Sequence, residues 1–200
     1  MSTSRLEAFS DGVFAVAATL LVVELHVPEV GTGLGSALLN QWPSYLTYVT
    51  SFGTIGIIWV NHHALFAHVR QVDRPLLFLN LLLLMTVSVI PFPTALLGRY
   101  ATAGDEGHLA SALYGAIMIL MSISFSALWW RVTADSRLIG RHLDPHRARQ
   151  EGILFSAGLA AYVAAVGLSF VSAQLALLVY ALTALFYVFP WLPSASPPET

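Results

Sequence analysis

The chain has 200 residues, of which 56% are hydrophobic and only 10% are charged, and its formal net charge is -2. Soluble domains carry about a quarter charged residues, so this composition predicts an integral membrane protein. The small net charge and the lack of a basic stripe exclude a nucleic-acid partner. The absence of cysteine excludes disulfides, thiol catalysis and thiolate metal sites.

Six apolar stretches predict six transmembrane helices, since a spanning helix needs about 20 predominantly apolar residues. Their approximate limits are Asp11 to Val27, Pro43 to Phe66, Pro75 to Leu97, Leu109 to Trp130, Gly152 to Val171, and Gln174 to Leu192. We therefore expect an all-α membrane protein with one six-helix domain over residues 1–192. The proline- and serine-rich residues 193–200 are expected to be a disordered tail.

The arginines indicate the orientation of the chain, because cytoplasmic loops are enriched in positive charge. If the N-terminus is cytoplasmic, the outer side carries Arg99 alone. The cytoplasmic side then carries Arg5, Arg70, Arg74, Arg131, Arg137, Arg141, Arg147 and Arg149. This bias predicts that both termini lie in the cytoplasm.

The first helix is unusual because Asp11 and Glu24 bound its short apolar core. A carboxylate within a span is costly unless it meets protein or water, so this helix is either shielded by other helices or faces a water-filled path. At about 100° per residue, one stripe of the helix collects Gly12, Val16, Thr19, Leu20, Val23 and Val27. On the residues alone, ordinary packing within the bundle is the favoured explanation of this stripe.

The second helix carries Trp59, His62, His63 and Phe66 on one face near its cytoplasmic end. These side chains are expected at the depth of Arg5, Ser10 and Asp11, where a hydrogen-bonded cluster would satisfy charges that the membrane penalises. A metal site is the more specific alternative. Adjacent histidines diverge on a helix, however, and no carboxylate completes a local set of metal ligands. Asp11, His62 and His63 are also the only candidates for a catalytic set. Their placement beside arginine suits a structural clamp, so we expect no enzyme, no metal site and no cofactor.

The segment from Arg5 to Leu21, with the pattern R-x-x-x-F-S-D over Arg5, Phe9, Ser10 and Asp11, resembles the first-helix signature of the transmembrane protein 175 family of potassium channels. The stretch from Ser51 to Phe66 is similar to the second helix of that family. Leu79-Asn80 and Pro91-Phe92-Pro93 also fit its third helix. The motifs cover about residues 5–93, and the topology of the whole chain is compatible.

The resemblance implies a homotetramer in the plasma membrane of a prokaryote, with the first helices lining a central pore for potassium. Carried onto this sequence, the hydrophobic constriction is formed by Val16, Leu20 and Val23, and Thr19 forms the selectivity layer. The remaining motif residues, Arg5, Phe9, Ser10, Asp11, Trp59, His62 and His63, are expected to form a structural hydrogen-bond network. The resemblance thus implies that the stripe is a pore surface and not a packing surface. Val16 and Val23 are smaller than the isoleucine or leucine usual at these positions.

The function predicted from the sequence is a channel with a weak preference for potassium over sodium. An apolar ring is a dewetting barrier, and potassium gives up its hydration shell more readily than sodium. A secondary transporter of a small solute or a proton-coupled ion is the alternative. It would need a midplane substrate site with broken helices, and Pro91 and Pro93 are expected too near the outer end of the third helix to break it.

Overall fold

The computed structural model describes residues 3–31, 33–135, 137–139 and 145–188, without the side chains of 145–151 and 154–156. The regular secondary structure of these residues is α-helical, and Val69 and Ile139 add one isolated antiparallel bridge. The helices are α1 Thr3–Val23, α2 Leu34–Asn40, α3 Trp42–Phe66, α4 Arg74–Val89, α5 Pro91–Tyr100, α6 Asp105–Ala134, α7 Pro145–Ser169 and α8 Ala173–Val188. The expected tail, 193–200, and the expected end of the last helix at Leu192 lie outside the described residues.

Among the described residues, three helical segments are long and apolar enough to cross a membrane: α1, the continuous stretch Arg74–Tyr100, and α6. Shorter apolar helices cover Ala157–Ser169 and Ala173–Val188. The 25 residues of α3 are interrupted by serine, threonine, glycine and histidine, which lower its hydropathy. The fold is therefore all-helical and of the membrane type.

The first helix begins earlier and ends earlier than predicted. It starts at Thr3 rather than at Asp11, because the polar residues before Asp11 continue the same helix and bury Leu6 and Ser10 at helical spacing. It ends at Val23 rather than at Val27. Pro28 disfavours helical geometry in the residue before it.

Two further differences concern the segment after α1 and the predicted third helix. The segment after α1 contains the short helix α2, which the sequence pattern did not indicate, preceded by Gly33 at a φ of 76°. The predicted third helix is present as two segments, α4 and α5, which meet at Ile90, and the backbone of Ile90 is itself helical. Pro91 and Pro93 lie in the first turn of the ten-residue helix α5, farther from the end of the span than predicted, and the span Arg74–Tyr100 continues through them. Prolines lack the N–H that would bond the preceding turn.

The long helix α6 lies at the centre of the packing, against α4, α5, α7 and α8. Its buried side includes Tyr114, Met118, Met121, Phe125 and Leu128. Tyr180 of α8 packs directly on Gly115, where a Cβ atom would collide with its ring. Small residues allow such close helix contacts, which replace the missing hydrophobic driving force within a bilayer.

Buried hydroxyl groups link four helices inside this core. The Ser51 hydroxyl of α3 lies 2.7 Å from Thr94 Oγ1 of α5 and 3.0 Å from the Tyr114 hydroxyl of α6. The Tyr180 hydroxyl of α8 donates to the Ser111 carbonyl at 3.0 Å. These bonds satisfy polar groups that lipid or a dry core would leave unpaired.

Candidate functional site

One face of the first helix packs against the rest of the protomer, and the opposite face is exposed. Its inner face packs Leu6, Ser10, Phe14, Ala17 and Leu21 against α3 and α4. The stripe identified in the sequence lies on the exposed face. The exposed fractions there are 58% for Val16, 46% for Leu20 and 73% for Val23, and Thr19 and Gly12 are exposed as well. The stripe therefore does not pack within its own bundle, and the packing explanation favoured by the residues alone was wrong.

Thr19 is the only residue of this stripe that carries a hydroxyl group. Its Oγ1 donates to the carbonyl oxygens of Ala15 at 3.0 Å and Val16 at 2.9 Å. Because these bonds occupy the hydroxyl hydrogen, the oxygen lone pairs are left for an acceptor role. An exposed oxygen of this kind can take part in coordinating a cation.

In its N-terminal half, α1 is held to α3 through Asp11. Trp59 Nε1 donates to Asp11 Oδ1 at 2.8 Å, and the indole stacks on His63 with 6.4 Å between ring centroids. Arg5 is exposed and forms no ion pair with Asp11 in the part of the chain that the structure describes. Residues six apart on a helix point about 120° away from each other, so this pair does not meet on one helix face.

A second connection, fully buried, joins α1 to α4 and α3. His62 Nε2 donates to Asn80 Oδ1 at 2.7 Å, and Asn80 Nδ2 donates to Ser10 Oγ at 3.0 Å. Ser10 in turn donates to the Leu6 carbonyl at 2.9 Å. Phe66 stacks on the imidazole of His62, with 4.3 Å between ring centroids. His62 is thus the histidine that is connected to Ser10, through Asn80. His63 stacks on Trp59, the residue that bonds Asp11.

Of the predicted network residues, only Asp11 and Trp59 bond each other directly within the described residues. Ser10 and His62 are joined through Asn80, and His63 contributes ring stacking alone. The other two residues have no polar contact with the network. Phe9 is 54% exposed on α1, and Arg5 is exposed near the start of the same helix. Asn80 is a central member that the sequence reasoning quoted only as part of a motif. Its signal was an amide within a leucine-rich run, where an unpaired polar group would be costly.

A charged cluster at the start of α4 and the end of α6 was not predicted from the sequence. Asp73 Oδ1 accepts from Leu76 N at 2.9 Å and so caps α4, while its Oδ2 accepts from the Arg131 guanidinium. Arg131 also lies 3.3 Å from Asp135 Oδ2. The backbone N–H of Arg137 and then the charge of Arg131 lower the pKa of Asp135. The sequence does contain a signal for the capping role of Asp73, because an aspartate two residues before a proline is typical of a helix start.

The described residues bring together no group of three or more histidine, aspartate or glutamate side chains that could hold a metal ion. What the geometry offers instead is an outward-facing apolar and hydroxyl surface on α1, fixed from behind by two hydrogen-bonded connections.

Comparison with known proteins gives this surface its context. Residues 5–91 match the family model described as the endosomal/lysosomal potassium channel TMEM175. A potassium channel of Streptomyces collinus is 48% identical over 193 residues, which cover 96% of this chain and 94% of that relative. The chain belongs to the TMEM175 family. TMEM175 proteins are ion channels, not enzymes, and the family resemblance predicted from the sequence is confirmed.

A solved TMEM175 structure shares the fold. The lysosomal potassium-selective channel TMEM175 homolog from Chamaesiphon minutus matches with a TM-score of 0.83 and 39% identity, over 93% of this chain and 96% of that one. A potassium channel of the same organism is 41% identical over 189 residues, covering 92% of this chain and 93% of the relative.

Proposed function

We propose that this TMEM175 chain is a potassium channel whose pore is lined by α1 from each of four copies. The observation that carries the proposal is the outward-facing stripe of α1. A lone protomer exposes Val16, Thr19, Leu20 and Val23 together on one helix face. The near full-length potassium-channel relatives support the same conclusion.

In this proposal the chain crosses the membrane six times, through α1, α3, the continuous α4–α5 segment, α6, α7 and α8. Both termini are cytoplasmic, as the distribution of the arginines favours. The expected location is the plasma membrane of a prokaryote. The connection between α7 and α8 is three residues long, which requires these helices to be antiparallel neighbours.

Rings of Val16, Leu20 and Val23 from four copies form the constriction. Apolar side chains offer nothing to replace the water around an ion, so a narrow ring of them excludes hydrated ions by dewetting. Conduction then requires a ring wide enough to leave the ion partly hydrated. The two valines have shorter side chains than leucine, so Leu20 forms the narrowest ring.

Selectivity arises at the Thr19 layer. Potassium loses its hydration water at a smaller cost than sodium, so a partly dehydrating constriction favours potassium weakly. The Thr19 hydroxyl donates back to its own helix, and its oxygen lone pairs can replace some of the water oxygens. A ring of such oxygens lowers the barrier where the apolar rings raise it.

The two connections behind α1 set the position of these rings. Trp59–Asp11 and His62–Asn80–Ser10 both act on the cytoplasmic half of α1. The pore-lining half has no comparable side-chain bonds to the neighbouring helices in the described residues. The cytoplasmic half is therefore the anchored part of the helix.

Potassium and sodium reversal potentials in a reconstituted bilayer test the proposal. The wild type should give unitary currents and a reversal potential shifted toward that of potassium. Leu20→Asn should hydrate the constriction and raise the conductance. Leu21→Asn is the matched control, since Leu21 is fully buried one position away and its replacement should damage packing without raising conductance. Unchanged conductance in assembled Leu20→Asn channels would assign the pore to another helix, and solute flux without unitary currents would indicate a transporter.

A further inference from the structure

A cavity of about 510 Å³ lies at the outer end of the protein, between the end of α1, the start of α3 and α5. The apolar part of its wall includes Phe92 and Leu96. Phe92 is 60% exposed, so this part is open to the surroundings of the protomer. The polar part of the wall includes Glu24, Gln41, Arg99 and Tyr100.

Some polar groups of this cavity bond one another, such as the Ser44 hydroxyl and the Gly98 carbonyl, but its charged side chains do not pair with each other within the described residues. Neither Glu24 nor Arg99 takes part in an ion pair within the described residues, although both line the same space. Gln41 Oε1 is buried and has no hydrogen-bond partner among them. An unsatisfied buried acceptor costs free energy unless a bound group satisfies it. The cavity thus offers acceptors in Glu24 and Gln41 and donors in Arg99 and Tyr100.

The position of the cavity matches the outer interface of a bilayer. It lies where α1 and α5 end, at Val23 and Tyr100, and beside the exposed Trp42. Tryptophan and tyrosine are enriched at the level of lipid headgroups. Arg99 is the only arginine that the proposed topology puts on this side.

We propose that this cavity binds a phosphatidylethanolamine molecule of the outer leaflet, with its phosphate on Arg99 and its ammonium on Glu24 and Gln41. The headgroup carries one negative and one positive charge, and the cavity presents the complementary pair. A primary ammonium donates hydrogen bonds to a carboxylate and an amide oxygen, whereas the quaternary ammonium of phosphatidylcholine cannot. The acyl chains lie along Phe92 and Leu96. The inference rests on the membrane placement in the proposed function, and it adds a lipid site distinct from the ion path.

Thermal unfolding of the purified, delipidated channel in detergent tests the site. Phosphatidylethanolamine should raise the Tm of the wild type more than phosphatidylcholine does, with about tenfold tighter binding. Glu24→Met, which removes both carboxylate oxygens, should abolish this preference, and Arg99→Gln should reduce the shift given by both lipids. Glu106→Met is the matched control, because Glu106 is an exposed outer carboxylate that does not line the cavity.

The preference must disappear in Glu24→Met and persist in Glu106→Met. A wild type without the preference, or a Glu24→Met variant that keeps it, would overturn the site. If Glu24→Met does not fold, Gln41→Met decides, since it keeps the side-chain length and removes the unpaired oxygen. Soluble phosphoethanolamine at the same concentration should leave the Tm unchanged, and an equal shift would overturn the lipid assignment. Potassium flux from the same preparation is read separately, so loss of flux with a retained lipid preference contradicts the channel and not the lipid site.

Discussion

Replacing Asn80 with leucine tests whether the buried hydrogen-bond chain holds the first helix. The variant leaves His62 Nε2 without its acceptor at a site where His62, Asn80 and Ser10 are each at most 1% exposed. Ser10 keeps its own bond to the Leu6 carbonyl, so it loses only an acceptor role. One orphaned donor costs about 1–3 kcal/mol in a protein interior. Side-chain hydrogen bonds in membrane proteins average about 0.6 kcal/mol and reach about 1.7. We therefore expect a loss of about 1–2 kcal/mol.

The assay is a double-mutant cycle on the reconstituted or detergent-solubilised channel, read as the free energy of unfolding and as the unitary conductance. His62→Phe with Asn80→Leu removes both partners, and it should be less destabilising than the sum of the single changes. Thr86→Val is the control on the same helix, since the Thr86 hydroxyl bonds only the Leu83 carbonyl of its own helix. Additive effects in the cycle, or a conductance change in Thr86→Val equal to that in Asn80→Leu, would refute the reasoning.

Three other outcomes are expected. Thr19→Val removes the hydroxyl layer and should lower the ratio of potassium to sodium permeability, which bi-ionic reversal potentials measure. Cysteine at Gly33 should react with an impermeant thiol reagent from outside and cysteine at Arg70 should not; labelling of the latter would contradict the proposed topology. Asp135 has a lowered pKa in the folded chain, so its contribution to stability is present above the unfolded pKa and is lost as pH falls through the folded one. Asp135→Asn should therefore flatten the acid side of a Tm-against-pH curve, and a curve parallel to that of the wild type would count against the cluster.

Local signals in the sequence were sufficient for most helices. Pro43 and Pro75 stand in the first turns of α3 and α4, where proline costs no hydrogen bond, so both starts were predicted within a residue or two. The outward stripe of α1 follows from the helical period. The extra turns before Asp11 could not be read from hydropathy, because that segment is polar but buries Leu6 and Ser10 against other helices.

Contacts between distant residues were harder to predict than the helices. Asp11 and the histidines were expected in one cluster, yet the partner of Asp11 is Trp59 and the partner of His62 is Asn80. Depth along a helix can be estimated from sequence, whereas the rotation of one helix against another depends on packing of the whole bundle. The same reason explains why the bond between Asp73 and Arg131, 58 residues apart, was missed.

The junction at Ile90 joins α4 and α5 within one membrane-length span. Pro91 and Pro93 provide no N–H to the turn before them, so the backbone there bends at a lower energetic cost than in a helix without proline. The α4 part carries Asn80, which bonds Ser10 of α1, while the α5 part is bonded to α3 through Thr94 and Ser51. In the proposed channel, a tilt of α4 against α5 would therefore act on the pore-lining helix through the Asn80–Ser10 bond.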